Sequence, residues 1–300
     1  GTGRPFVVRR GDTAREVATR LERDGLVRSA LSFTLVLYDE GRADSIQAGT
    51  YQVSPAMTAR EIARLLDHAP GEQTLLRLIE GWRLTEIASA VAEAFPGVGV
   101  DAFLAAAVVG DRTDPLLAGL TSATPLEGFL FPDTYYFRPS ATAAELVDGL
   151  FATFRDRVGP ALLAAREHGA KVYDLVRLAS IVEREAQDRA ESPVIAGVYA
   201  NRLRIGMKLD ADPTIQYALG DWRVLALRDL ELVSPYNTYR VAGLPPTPIC
   251  SPGLAALEAA AAPAEHPYLY FVAKGDGRGG HAFAKTLDEQ EANRVRYGNK

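Results

Sequence analysis

Leu178-Ala179-Ser180-Ile181-Val182-Glu183-Arg184-Glu185 is the stretch on which the reading of this chain turns. Apolar residues recur around it at Leu175, Leu178, Ala179, Val182 and Ala186. That spacing of three and four lines one helical face and predicts a helix from about Val172 to about Ala190. Two carboxylates interrupt the pattern. At about 100° per residue, Glu183 projects between the directions of Val176 and Ala179, and Glu185 between those of Ile181 and Leu178. Both lie at the edges of the apolar arc, where lost hydration disfavours the charged form and moves a carboxyl toward the range useful to a general acid. The alternative is a core helix from which both side chains snorkel, pairing with Arg184, Arg177 or Arg189.

Around this helix, composition narrows the classes. The 300 residues are enough for one large domain or two ordinary ones. A hydrophobic fraction of 47% with 24% charged residues is ordinary globular usage and excludes collagen-like, coiled-coil and disordered chains. The net charge of -5 argues against nucleic acid, because phosphate contacts demand clustered Lys and Arg. Cys250 is the only cysteine, so no intramolecular disulfide and no thiolate metal cage can form. No apolar run approaches the roughly 18 residues of a membrane span. The opening Gly1-Thr2-Gly3-Arg4 lacks Met and is read as a trimmed start, with any signal or anchor lying upstream.

Toward the N-terminus, Phe6 to Val8 reads as a strand, and Thr13 and Glu16 have capping-box spacing ahead of a helix to about Arg23. A second helix is expected from about Ser29 to Tyr38, and a strand at Gly49 to Val53. Thr58-Ala59-Arg60-Glu61-Ile62-Ala63 then repeats Thr13-Ala14-Arg15-Glu16-Val17-Ala18, and Leu84-Thr85-Glu86-Ile87-Ala88 is a weaker third copy after the strand-like Leu75 to Ile79. Strand, Gly-Asp-Thr turn and helix resemble the start of a LysM module, a fold that grips chitin-like or peptidoglycan glycans. Ala69-Pro70-Gly71 reads as the joint between this module and the rest of the chain.

Further on, helices are expected at Thr85 to Ala94, and from an Asp101 cap to about Val109. Leu126 to Phe137 carries five aromatics with Glu127 and Asp133, content that suits a sugar-binding cleft or, equally, a loop that plugs a core. Helices are also expected at Ala143 to Val158, Pro160 to His168 and Pro193 to Arg204. Asp212 to Tyr217 and Ser234 to Tyr239 read as polar and aromatic loops, and Gly243 to Gly253 as a Pro-punctuated turn before a helix of alanines. Tyr268 to Ala273 and His281 to Phe283 should form a hairpin.

His68, His168, His266 and His281 are scattered without metal-ligand spacing, so no metal is expected. There is no Gly-x-Ser-x-Gly elbow and no phosphate-binding glycine loop, which leaves carboxylate chemistry. Leu126 to Phe137, Ala179 to Glu185, Asn201-Arg202-Leu203 through Met207, Asp212 to Tyr217, Tyr236 to Tyr239, Gly243 to Gly253, Tyr268 to Val272 and Gly280 to Phe283 together resemble the YceG-like family of endolytic murein transglycosylases. The chain departs from that family's pattern at Thr247 and Cys250, where Gly and Asn are more usual.

The resemblance implies an α+β chain: a small LysM-like module over residues 1–74 and a larger, mainly helical catalytic domain with a β-hairpin over 75–300. It singles out Glu183, since the family's catalytic glutamate resembles the first Glu of Ile-Val-Glu-x-Glu; periodicity cannot separate it from Glu185. Glu127, Asp212, Gln216, Tyr236 and Asn237 become candidates for binding glycan or orienting Glu183, with His281 weaker. No cofactor is implied. The implied partners are peptidoglycan strands and enzymes of wall synthesis, reached from an N-terminal anchor in the bacterial cytoplasmic membrane with the catalytic domain outside. Two other readings are a non-catalytic glycan-binding scaffold using the aromatics near Tyr135, and a glycoside hydrolase pairing Glu183 with Asp133, Asp212 or Glu185.

Overall fold

The computed structural model describes residues 3–67 and 73–297; His68 and the expected joint at Ala69-Pro70-Gly71 lie outside them. The chain divides into two compact units, one of residues 1–74 with 136–139, the other of 75–135 with 140–300.

In the first unit Arg4–Val8 (β1) pairs antiparallel with Gly49–Val53 (β2). Period-2 alternation buries Phe6 and Val8 of β1 and Tyr51 and Val53 of β2, with Phe6 opposite Tyr51. Ala14–Arg23 (α1), Ala30–Asp39 (α2) and Ala59–Leu66 (α3) close over that face through Val17, Leu21, Phe33, Leu37, Ile62 and Leu66. Both expected capping boxes form. The Thr13 and Thr58 hydroxyls accept the amides of Glu16 and Glu61, whose carboxylates return to the cap amides.

The second unit is mainly helical. In the chain Leu84–Ala94 (α4) and Val100–Ala106 (α5) lie between the strands Thr74–Arg77 (β3) and Thr134–Phe137 (β4), of which Thr74, Tyr136 and Phe137 belong to the first unit. The cap of α5 is Gly99, and Asp101 sits in its first turn instead. Ala143–Glu167 (α6) runs unbroken through Pro160, where two helices were expected. A proline inside a helix costs about 3 kcal/mol. Phe154, Val158 and Leu162 are fully buried on both sides of it, and each such side chain contributes roughly 1.5–3 kcal/mol.

The central helix is Val172–Glu185 (α7), shorter than its periodicity suggested. Ala186 turns extended, and Asp188 caps a 3-10 turn at Arg189–Glu191 instead. Val176, Ala179, Ile181 and Val182 are fully buried, and α7 packs against Leu254–Ala261 (α10), which also packs on Ser192–Arg204 (α8) and α6. Asp212–Leu219 (α9) is a helix where a loop was expected, with Pro213 in its first turn and Gly220 left-handed at φ 72° past its end. Proline inside the start and glycine just after the end is the pairing that favours a short helix. The hairpin forms from Tyr270–Ala273 (β5) and His281–Ala284 (β6), followed by an unanticipated helix, Leu287–Tyr297 (α11).

Candidate active site

Glu183 lies in the last turn of α7, half-buried. Its Oε2 accepts the N–H of Gly253 at 2.9 Å, and Gly253 is the N-cap of α10. The Pro-punctuated loop before that cap is tied to α7 from below: the Ser180 hydroxyl accepts the Ile249 N–H at 3.0 Å, and the buried Cys250 thiol donates to the Ser180 carbonyl at 3.3 Å. On its other side the loop pairs with residues 81 and 82, Gly81 N–H to Ser251 carbonyl at 2.9 Å and Ser251 N–H to Trp82 carbonyl at 2.7 Å. Only glycine fits at 253 with its neighbours in place, because a Cβ there would come within 2.1 Å of Glu80 Oε1.

Among the described residues no cation forms an ion pair with Glu183. Arg177 pairs with Asp174, Arg189 with Glu80, and Arg184 stacks on Trp222. Burial therefore raises the proton affinity of Glu183, opposed by the Gly253 N–H and by the Arg184 charge. Among the described residues Oε2 carries its one hydrogen bond. Oε1 is left to hold and deliver a proton.

Glu127 is buried, with Oε1 accepting the Leu84 N–H at 2.9 Å and Oε2 the Tyr217 hydroxyl at 3.1 Å. Burial pushes it up to about 8 against those two bonds and Arg83, so at neutral pH it is a protonated acid. The Tyr217 ring lies 5.0 Å from that of Tyr236, whose hydroxyl meets Thr247 Oγ1 at 2.9 Å. One connected patch thus joins Glu127, Tyr217, Tyr236 and Thr247. Cys250 feels the charge of both Glu183 and Glu127.

The other candidates divide differently. Asn237 is fully buried, its Nδ2 donating to the carbonyls of Leu230 and Leu232 and its Oδ1 accepting the Tyr239 N–H, so it fixes the loop that carries Tyr236. Gln216 donates to the Arg223 carbonyl at 2.7 Å and holds the turn after α9. Asp212 is exposed and accepts the Tyr239 hydroxyl at 2.7 Å. Glu185 accepts the Tyr199 hydroxyl at 3.0 Å and is pushed up to about 7 by burial, with Asp212 adding to the rise. His281 is bound to Glu191 at 2.7 Å, and Asp133 to Arg157 at 3.0 Å.

Three of the five rings in the aromatic run are buried. Phe129 is fully buried, 5.2 Å from Phe154 and 6.2 Å from Tyr173, and the buried Tyr135 donates to the Phe131 carbonyl. Composition alone could not tell which way these rings face: Phe129, Phe131 and Tyr135 are buried, whereas Tyr136 and Phe137 are half-buried. Sequence reasoning also passed over Gly253, Tyr217, Arg83 and Trp222. Each reaches the site from a distant segment of the chain. Among the described residues no group of three His, Cys, Asp or Glu side chains is placed to hold a metal.

A family model described as the YceG-like family matches residues 6–296. An endolytic murein transglycosylase of Bacillus subtilis is 31% identical over 303 residues, covering 96% of this chain and 82% of the relative. A protein of the same name from Streptococcus pneumoniae serotype 2 is 32% identical over 88% of this chain, which spans only 53% of that relative. A crystal structure of a yceG-like protein from Listeria monocytogenes superposes with a TM-score of 0.64 at 28% identity, covering 97% of this chain and 99% of that one.

Proposed function

We propose, from the premise that this chain belongs to the YceG-like family, that it is a lytic transglycosylase cutting murein strands internally, with Glu183 as its acid and base. The observation that carries the reading is the state of Glu183. It is half-buried, without an ion-pair partner among the described residues, raised in proton affinity, and held through one oxygen by Gly253.

Protonated Glu183 gives its proton to the oxygen linking N-acetylmuramic acid C1 to the next N-acetylglucosamine, and the C1–O bond breaks as positive charge develops on the muramic ring. The C6 hydroxyl of the same muramic acid attacks C1, and its proton passes to the Glu183 carboxylate. The products are a free N-acetylglucosamine 4-hydroxyl and a 1,6-anhydro-muramic end, with no water consumed. The nucleophile is already tethered, so proximity replaces the second catalytic carboxylate of a hydrolase. The Tyr217–Tyr236 pair is the group we assign to glycan contact, with buried Glu127 holding Tyr217 and with Asp212, Gln216 and Asn237 supporting the loops around them.

Residues 1–74 form, in this reading, a LysM-like module that grips glycan, and residues 75–300 the catalytic domain. The protein works at the outer face of the bacterial cytoplasmic membrane alongside enzymes of wall synthesis. Among the described residues no helix is long and apolar enough to cross a membrane, so the proposed anchor is a separate segment. The deciding experiment is mass spectrometry of products from uncrosslinked strands. Anhydro ends formed by the native chain and absent with Glu183→Gln support the proposal. Fragments one water heavier would replace it with a hydrolase, and strand binding without turnover would replace it with a glycan-binding scaffold.

A further inference from the structure

Arg184 follows the candidate acid on α7, and its charge has no counterpart. Its neighbours are spoken for: Arg177 by Asp174, Arg189 by Glu80, Arg202 by Asp210. Arg184 makes no ion pair or hydrogen bond among the described residues, and its Nε is buried without a partner. What holds it is an aromatic face. Its guanidinium carbon lies 3.9 Å from the Trp222 ring centroid, and that of Arg83 lies 4.1 Å from the same centroid. Two guanidinium groups so close to one ring must occupy its opposite faces to avoid overlapping.

The two cations are not equivalent. Glu86 serves the first: its Oε2 sits 4.0 Å from Arg83 Nε, accepts the Arg83 N–H at 2.8 Å, and also accepts Trp222 Nε1 at 3.3 Å. Trp222 is thereby fixed as a platform with one neutralised and one naked charge. Gly81, at φ +82°, lets the naked one lie close; a Cβ there would stand 3.1 Å from Arg184 Nη1 and 3.9 Å from Glu183 Cγ. Stacking uses the face of the guanidinium and leaves its donor edge, the fork that binds carboxylates bidentately.

An unbalanced cation beside a group that must hold a proton works against that group. The other groups near Glu183 do not compensate: Gly253 offers an N–H, Cys250 a thiol, and Glu80 is paired with Arg189. The missing anion must arrive with the substrate. Murein glycan is uncharged along its backbone, and its carboxylates sit on the peptide that each muramic acid carries at O3, on the ring where C1 reacts.

We propose that Arg184, braced on Trp222, binds a carboxylate of that peptide, so that the site selects peptide-bearing strands over bare glycan. This rests on the transglycosylase reading, which it extends to substrate choice. Seating that anion has a second consequence: it removes the charge opposing protonation of Glu183, so the strand that fits also favours the acid form.

The test uses the native chain, Arg184→Gln and Arg184→Lys on three uncrosslinked strand preparations: with peptides, with peptide carboxylates amidated, and with peptides removed by an amidase and the lactyl carboxylate that this frees at O3 converted to its amide. We expect the native chain to favour the first, and Arg184→Gln to reduce that preference in kcat/KM about tenfold or more, the scale of a charge-assisted bidentate contact. Arg184→Lys should restore part of it, and amidated strands should behave like bare ones. Equal loss on all three preparations, or no loss, overturns the proposal. Should the native chain form no anhydro ends at all, the parent reading fails by itself. Binding of peptide-bearing strands to Glu183→Gln and to Glu183→Gln with Arg184→Gln then still decides the role of Arg184, and equal affinities reject it.

Discussion

In the first unit Asp12 receives the Arg20 guanidinium and the Arg9 N–H, and Glu40 gathers Arg42, Arg64 and Arg60 within 3.7 Å. Around α7 in the second unit, Glu127, Glu183 and Glu185 receive only neutral donors among the described residues: the amides of Leu84 and Gly253 and the hydroxyls of Tyr217 and Tyr199. The consequences for protons are opposite. Arg20 holds Asp12 down at about 2, whereas burial lifts Glu127 to about 8 and Glu185 to about 7, and raises Glu183. The same side-chain type is a structural anion in one unit and a proton carrier in the other. Supply of cations decides which, because burial without a partner penalises charge.

The sharpest way to break this comparison is to replace the proton carrier. Glu183→Gln keeps the shape and the Gly253 contact but cannot transfer a proton, so product formation should fall about a thousandfold, within the range of general acid catalysis, with an unchanged melting curve. Loss of folding together with activity would mean that Glu183 is structural, like the acids of the first unit.

Gly128→Ala tests how firmly the buried acid is framed. At φ +83° an added Cβ would come within 2.6 Å of Pro248 and 2.9 Å of Val176, and we expect a loss of about 3 kcal/mol in denaturant unfolding. A near-neutral result would show that the Pro248 loop yields easily.

A smaller effect concerns pH. Glu127 goes from an ordinary 4.5 to about 8 on folding, so between those values the folded chain holds a proton that the unfolded chain has released. Its stabilisation is complete below about 4.5 and is lost as pH rises through about 8; Glu185 adds the same sign up to about 7. Chemical denaturation from pH 4.5 to 8.5 should show falling stability in the native chain and a much flatter profile in Glu127→Gln with Glu185→Gln. The mirror experiment is the smallest. Asp12→Asn should remove roughly 1 kcal/mol or less at neutral pH, and the native advantage should vanish as pH falls from about 4 to about 2. An advantage that persists at pH 2 would place the effect outside the ion pair.

Local signals explain what could be read from the sequence. Apolar spacing located α7, Thr-x-x-Glu located the starts of α1 and α3, and a glycine-rich turn between apolar runs located the hairpin. The failures were tertiary. Nothing near Pro160 announces that Phe154 and Leu162 will both be buried, and that burial carries the helix through. The aromatic run at 126–137 was legible as important but not in its direction. Glu183 could be reached only through the family resemblance, and its hydrogen-bond donor Gly253 stands 70 residues beyond it, where no periodicity connects them.

The lone thiol adds a practical consequence. Cys250 is fully out of solvent, donates to the Ser180 carbonyl, and is pushed far above the ordinary thiol range by burial. A disulfide reagent can reach it only when the loop before Gly253 lifts off α7, so its modification rate is a clock for that opening. If modification is slower than global unfolding allows for any local event, the hydrogen-bond donor of Glu183 is as permanent as the core itself. If it is much faster, the loop breathes in the native protein, and the acid spends a measurable share of its time without its anchor.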